Sequence, residues 1–277
     1  NGPNNDAQGF YNWLISYGGV PWANIKLIQS YNSYPKMYDI ESAFKQLIID
    51  NRNLNNNSVF SGRRLYIFFS GHGIDLKKPN EEEDPALLTV EASSDSIGYH
   101  IPGKTYSNWF KDSAIFREIV IIMDCCRDSY SNIKRREPPW NTIENKSVAG
   151  NIELMSIFST KYSKKSKDST NKNGMSSFTE HLLKGLNGEA KDNTGKITAL
   201  SLQKYLFNST LPNINNYEKQ EPDIGLNRNP DNLIFYQEQN NNKTTNVNIS
   251  SSKIITDDIF ILDSKANKVK VLNNGTD

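Results

Sequence analysis

Four short, continuously apolar runs constrain this chain more than any other feature: IKLIQ (25–29), RLYIFFS (64–70), EIVIIMD (118–124) and ELMSIFST (153–160). None alternates apolar with polar residues in the way a half-exposed strand does, and Ile and Phe dominate. That pattern marks strands covered on both faces, the situation of parallel strands inside a layered sheet. Stretches with helical spacing lie between them. NDAQGFYNWLISYGG places Ala7, Phe10, Tyr11 and Leu14 at helical spacing and stops at Gly18-Gly19. YDIESAFKQLIIDN and SSFTEHLLKGL read as helices too, the second capped by Ser176, Ser177 or Thr179. Strands alternating with helices predict an α/β fold, a three-layer sandwich with a mostly parallel central sheet flanked by helices and right-handed crossovers.

The 277 residues suffice for one large domain with a full core. Residues 1–237 are expected to form it, with loops at 76–85, 131–147 and 161–174. Residues 238–248 have linker composition. Within 249–277, IITDDIFILDSKANKVKVLNN reads as two strands about a turn, a hairpin or the start of a further domain. The net charge of +1 gives no global reason to bind nucleic acid or an acidic membrane. The lysines at 164, 165 and 167 lack the interleaved aromatics of a single-strand binder, so direct nucleic-acid binding is not expected. No apolar stretch approaches the roughly 20 residues that cross a bilayer, and NGPNNDAQGF has no signal-peptide pattern, so no membrane partner is expected. The only two cysteines, Cys125 and Cys126, are adjacent and cannot easily bridge each other. A reducing, cytoplasmic setting fits that usage.

Two strand ends carry the chemistry. FFSGHGID sets His72 just past the carboxyl end of one strand, and IIMDCCRD sets the cysteines just past another. Ligands of parallel sheets sit beyond such ends. A thiol needs a base or cation nearby to become a useful thiolate near neutral pH, and imidazole supplies one. Of His72, His100 and His181, only His72 lies between glycines at a strand end. His100 and His181 lack metal-ligand spacing, and no metal is expected. Neighbouring residues leaving a strand project to opposite sides, so one cysteine should enter the core and the other face the cleft.

SGHG followed 54 residues later by DCCRD resembles the caspase and metacaspase family of cysteine peptidases. NNDAQGFYNWLISYGGVPWANIKLI resembles the family's first helix and second strand, and SSFTEHLLKGLNGEAKDNTGKITALSLQKYL its later helix, turn and helix. The resemblance spans about residues 3–237. It implies a cysteine endopeptidase acting on protein or peptide substrates, with Cys126, third in its motif, as nucleophile and Cys125 packed in the core. His72 becomes the general base, and the N–H groups of Gly73 and Cys126 form the oxyanion hole. Asp6 and Asp124 match the acids that line the metacaspase specificity pocket, so cleavage is expected after Arg or Lys. The bland alternative makes Asp6 a helix cap and Asp124 a strand end. Lys161 falls where the family often contributes to the pocket. Family members are often cut in the loop after the nucleophile, which makes Lys134, Arg135 and Arg136 candidates for self-cleavage.

No cofactor is expected. Calcium activates some metacaspases, but the four consecutive acids Glu81 to Asp84 cannot all turn to one ion and have no glycine-shaped loop. Two departures from the family stand out. Its first strand has no counterpart before NGPNND and is expected from a longer polypeptide or from elsewhere, and its His-Ser-Gly is replaced by Arg127-Asp128-Ser129. The Asn- and Lys-rich composition and the resemblance to short family members imply a bacterial enzyme, a defence effector held inactive until an activating partner or signal arrives. The rivals are a binding module that kept the fold without activity, and a protease silent without a partner domain.

Overall fold

The computed structural model describes residues 2–31, 34–54, 62–76, 82–93, 96, 98–130, 133–140, 146–161, 174–209, 221–227, 231–237, 259–262 and 268–272. The chain runs through α1 (Gly2–Ser16), a 3-10 turn (Trp22–Asn24), α2 (Met37–Leu54), β1 (Gly62–Gly71), β2 (Gly73–Leu76), β3 (Asp84–Leu88) and β4 (His100–Pro102). It continues through α3 (Gly103–Ser113), β5 (Phe116–Cys125), β6 (Asp128–Tyr130), α4 (Lys146–Ala149), β7 (Glu153–Phe158) and α5 (Ser177–Lys184), which a π turn extends. Then come β8 (Lys196–Thr198), α6 (Ala199–Ser209), β9 (Asp223–Leu226), β10 (Ile234–Gln237), β11 (Ile259–Leu262) and β12 (Lys268–Leu272).

The central sheet has the order β1-β5-β7-β9. Its first three strands are parallel, and β9 is antiparallel to β7. β5 lies inside the sheet, and all of its residues except Arg117 are buried, which is why its sequence is apolar throughout. Its side chains alternate between two cores. Ile119, Ile121, Met123 and Cys125 pack with Phe44 of α2 and Tyr106 and Phe110 of α3. Val120 and Ile122 pack with Phe10 and Trp13 of α1, Leu182 of α5 and Leu202 of α6. Each fully buried Ile contributes about 1.5–3 kcal/mol. The expected three-layer α/β sandwich is therefore what the alternation builds. Ser176 is the cap of α5, its hydroxyl accepting from the amide of Thr179 at 3.0 Å.

A second sheet, β4-β3-β2-β6, extends from the carboxyl ends of β1 and β5. Part of it occupies the stretch read from sequence as the loop 76–85. Asp84 explains why this region orders: its carboxylate accepts from the amides of Lys104 and Thr105 at 2.8 and 3.1 Å and from the Thr105 hydroxyl at 2.6 Å. It thereby caps α3, whose own preceding residue is Pro102. The expected strand at 25–29 does not form. These residues follow the 3-10 turn and join no ladder among the described residues. Leu27 and Ile28 are each 37% exposed. Apolar β-branched sequence favours extended backbone, but a strand also needs a hydrogen-bonding neighbour, and β1 ends the sheet without pairing to this segment. β11 and β12 form the expected antiparallel hairpin. Residues 238–248 lie outside the described residues. No helix among the described residues is long and apolar enough to cross a membrane.

Candidate active site

His72 and Cys126 are matched by two ladders that share one register. β1 pairs with β5 so that each residue meets the one 54 positions later, ending at Gly71 opposite Cys125. β2 pairs with β6 at the same offset of 54, beginning with Ile74 opposite Asp128. His72 lies in the one-residue gap between β1 and β2, and Cys126 follows β5 directly, before β6 begins. His72 is exposed, and Cys126 is half-buried. Cys125 is only 2% exposed, within the core on the α2 and α3 side, and burial pushes its thiol well above the ordinary range.

The glycines flanking His72 have separate reasons. Gly71 adopts φ of 153°, a region that L side chains rarely enter. A Cβ on Gly73 would sit 2.6 Å from Cys125 Sγ and 2.8 Å from the carbonyl oxygen of Cys126. Only glycine lets the His72 turn approach the cysteine strand this closely. The carbonyl of His72 accepts from the amide of Leu88 at 2.9 Å, which fixes the turn to β3.

Strand parity gathers the acids. Ser70 and Asp124 are even-numbered residues of β1 and β5, whose even-numbered side chains face α1 and α5. Asp6, in the second turn of α1, accepts from the Ser70 hydroxyl at 2.7 Å and from the Ser176 amide at 2.8 Å. Asp124 accepts from the hydroxyls of Ser176 and, at 2.8 Å, Thr179. The two carboxylates are 1% and 4% exposed. Burial raises the Asp6 carboxyl to about 6, and the charge of Asp124 adds to the rise. Asp6 is thus no cap of α1, and Asp124 does more than end a strand. Ser70 was missed in the sequence because a serine at a strand end carries no chemical signal of its own.

Arg127, which interrupted the family motif, is fully buried. Its Nε donates to Asp75 at 2.6 Å, Nη1 to the Thr160 carbonyl at 2.9 Å and to Asp223 at 2.7 Å, and Nη2 to Glu83 at 3.0 Å. Burial alone would lower the guanidinium pKa, but the carboxylates outweigh it and the net shift is upward. Its carbon lies 5.4 Å from the Phe158 ring centre. Lys161 pairs with Glu221. Of the residues considered for self-cleavage, Lys134 is exposed. Arg135 lies 3.4 Å from Asp84 and donates to the Glu82 carbonyl, while Arg136 pairs with Glu41 at 3.1 Å. Glu83 and Asp84 of the acidic run therefore serve Arg127 and α3, and no His/Cys/Asp/Glu group fit to hold a metal occurs among the described residues.

A family model for the caspase domain matches residues 1–229. No curated protein matches the chain. Among solved structures, caspase-1 from Spodoptera frugiperda is similar in fold, with a TM-score of 0.50 and 15% identity over 86% of this chain and 82% of that one.

Proposed function

The chain belongs to the caspase-domain family of cysteine peptidases, and from that premise we propose that it is an endopeptidase in which Cys126 and His72 cleave peptide bonds after Arg or Lys. The observation that supports this reading is the common 54-residue offset of the two ladders, which stop at Gly71–Cys125 and resume at Ile74–Asp128 on either side of residues 72 and 126. His72 takes the proton of the Cys126 thiol, and the thiolate attacks the scissile carbonyl carbon. The oxygen takes up the negative charge, and the N–H groups of Gly73 and Cys126 stabilise it. One such donor is worth about 2.7–4 kcal/mol of barrier. The imidazolium returns its proton to the leaving amine as the carbon–nitrogen bond breaks. Water, deprotonated by His72, then attacks the thioester and releases the acid and the thiol.

Specificity follows from charge. Continuing the alternation of β1 and β5, Cys126 leaves its strand on the side of Asp124. Two neighbouring carboxylates suit a guanidinium or ammonium group and oppose a carboxylate. Burial and the charge of Asp124 push the Asp6 carboxyl up to about 6, and a cationic side chain arriving beside the two acids would favour their charged forms. The test uses fluorogenic peptides ending in Arg, Lys or Asp with wild type and Cys126→Ala. Turnover of the Arg or Lys peptides by wild type alone supports the reading. Equal turnover by the variant removes Cys126 from the mechanism, and preference for Asp removes the acidic pocket.

A further inference from the structure

Every catalytic element proposed above lies next to a chain segment that Arg127 holds. Asp75 is two residues beyond Gly73, and Arg127 directly follows Cys126. The ion pair between their side chains joins the two strands just past the His72 and Cys126 positions. The other arms reach outward: Thr160 lies two residues past the end of β7 and beside Lys161, Asp223 opens β9, and Glu83 precedes β3. Exposure separates these arms by character. The side chain of Asp75 is 0% exposed, whereas those of Glu83 and Asp223 are 26% and 38% exposed. The inner arm is therefore a fixed rivet, and the outer arms border solvent.

We propose that Arg127 is a positioning residue that makes the productive geometry of Cys126 depend on the docking of β9, through Asp223, and of the segment before β3, through Glu83. A guanidinium has a rigid fork of donors, so carboxylates set around it dictate its plane. The backbone of residue 127 follows that plane, and with it the carbonyl and amide of Cys126. The close fit of Gly73 against the Cys126 carbonyl leaves little slack to absorb a shift. Loss of an outer arm lets the plane rotate, and the nucleophile and its oxyanion donor go out of line. Misplacement by about 1 Å is enough to slow catalysis on the order of 100-fold. Three carboxylates around one cation also place excess negative charge near the thiol, so position and electrostatics must be read separately.

This inference rests on the peptidase reading, and the experiment separates the two. Wild type, Asp223→Ala, Glu83→Ala and Arg127→Lys are labelled with a peptidyl acyloxymethyl ketone ending in Arg, which requires the aligned site. They are labelled in parallel with iodoacetamide at alkaline pH, where the thiol is ionised in every variant. Thermal unfolding confirms that each variant is folded, and Asp223→Ala and Glu83→Ala, altered at the solvent side, carry the test if Arg127→Lys is not. The expected result is peptide-directed labelling of Cys126 slowed about 10- to 100-fold, with iodoacetamide labelling within about twofold of wild type. Peptide-directed labelling at the wild-type rate in folded Asp223→Ala and Glu83→Ala overturns the positioning role. Wild type that reacts with iodoacetamide yet ignores both this reagent and its Asp-ending counterpart overturns the peptidase reading itself.

Discussion

Asp6 and Asp124 meet through one residue: the amide of Ser176 donates to Asp6 at 2.8 Å while its hydroxyl donates to Asp124. Three elements that are distant in sequence are thus joined at the start of α5. The donors there favour negative charge, as helix N-termini do. They do not cancel the cost of bringing two acids together out of water, and Asp6 rises to about 6 as a result.

That cost has a pH signature. The ordinary carboxyl value of Asp6 is 3.8 and the folded value about 6, so the folded state binds the extra proton between them. Stability from this group is fully present below the lower value and is lost as pH rises through the upper one. The loss amounts to on the order of 3 kcal/mol at neutral pH. Denaturant unfolding of wild type and Asp6→Asn across pH 4–8 should show the difference between them changing in that window. Parallel stability curves exclude Asp6 as the titrating group.

The same acids should govern substrate choice. Replacing Asp6 or Asp124 with Asn removes a charge while keeping the size. kcat/KM for an Arg-ending peptide is expected to fall about 10- to 100-fold, since a hydrogen bond to a charged partner is worth about 1.5–3 kcal/mol. As pH drops through about 6, KM for that peptide should rise in wild type but stay level in Asp6→Asn. A loss confined to kcat in both variants would remove these acids from substrate binding.

The two cysteines should behave oppositely. Cys126→Ala is expected to abolish turnover with the unfolding midpoint intact. Cys125→Ala removes a buried sulfur from the first core and should cost about 1 kcal/mol of stability while keeping most activity. Gly73→Ala drives a methyl group into Cys125 Sγ and the Cys126 carbonyl, and should cost about 1–3 kcal/mol as well as activity. Combining Gly73→Ala with Cys125→Ala relieves the clash with sulfur but not those with the residue 125 Cβ at 2.7 Å and the Cys126 carbonyl, so most of the loss in both stability and activity should persist. Full recovery of activity in the double variant would show that the backbone approach is dispensable.

Much of the fold was legible in the sequence because β5 is buried on both faces and must be apolar, and the histidine turn was legible because its glycines answer to a positive φ at Gly71 and a close backbone approach at Gly73. The second sheet was not legible. Its strands are short, and Asp84-Pro85 looks like a loop until the amides it caps on α3 are seen. Residues 25–29 misled for the converse reason, since they carry strand composition without a partner strand. Arg127 was noticed only as a departure from a motif, because Asp75, Glu83 and Asp223 are scattered along the chain and no local pattern could announce that they converge.

The proposed basic specificity predicts which bond of the loop after the nucleophile the enzyme would cut first in itself. Arg135 and Arg136 are engaged by Asp84, the Glu82 carbonyl and Glu41, whereas Lys134 is exposed. An ammonium group in water enters an acidic pocket without first breaking an ion pair. Trp140, downstream, packs among the rings of Phe44, Tyr106, Trp109 and Phe110, which anchors the segment after a cut. Prolonged incubation of wild type should therefore yield a new N-terminus at Arg135, with both fragments co-eluting on gel filtration. Lys134→Ala should suppress that product, and Cys126→Ala should be cut there only by added wild type. A first cut after Arg136, read by mass spectrometry, would show that the ion pair with Glu41 does not protect the bond.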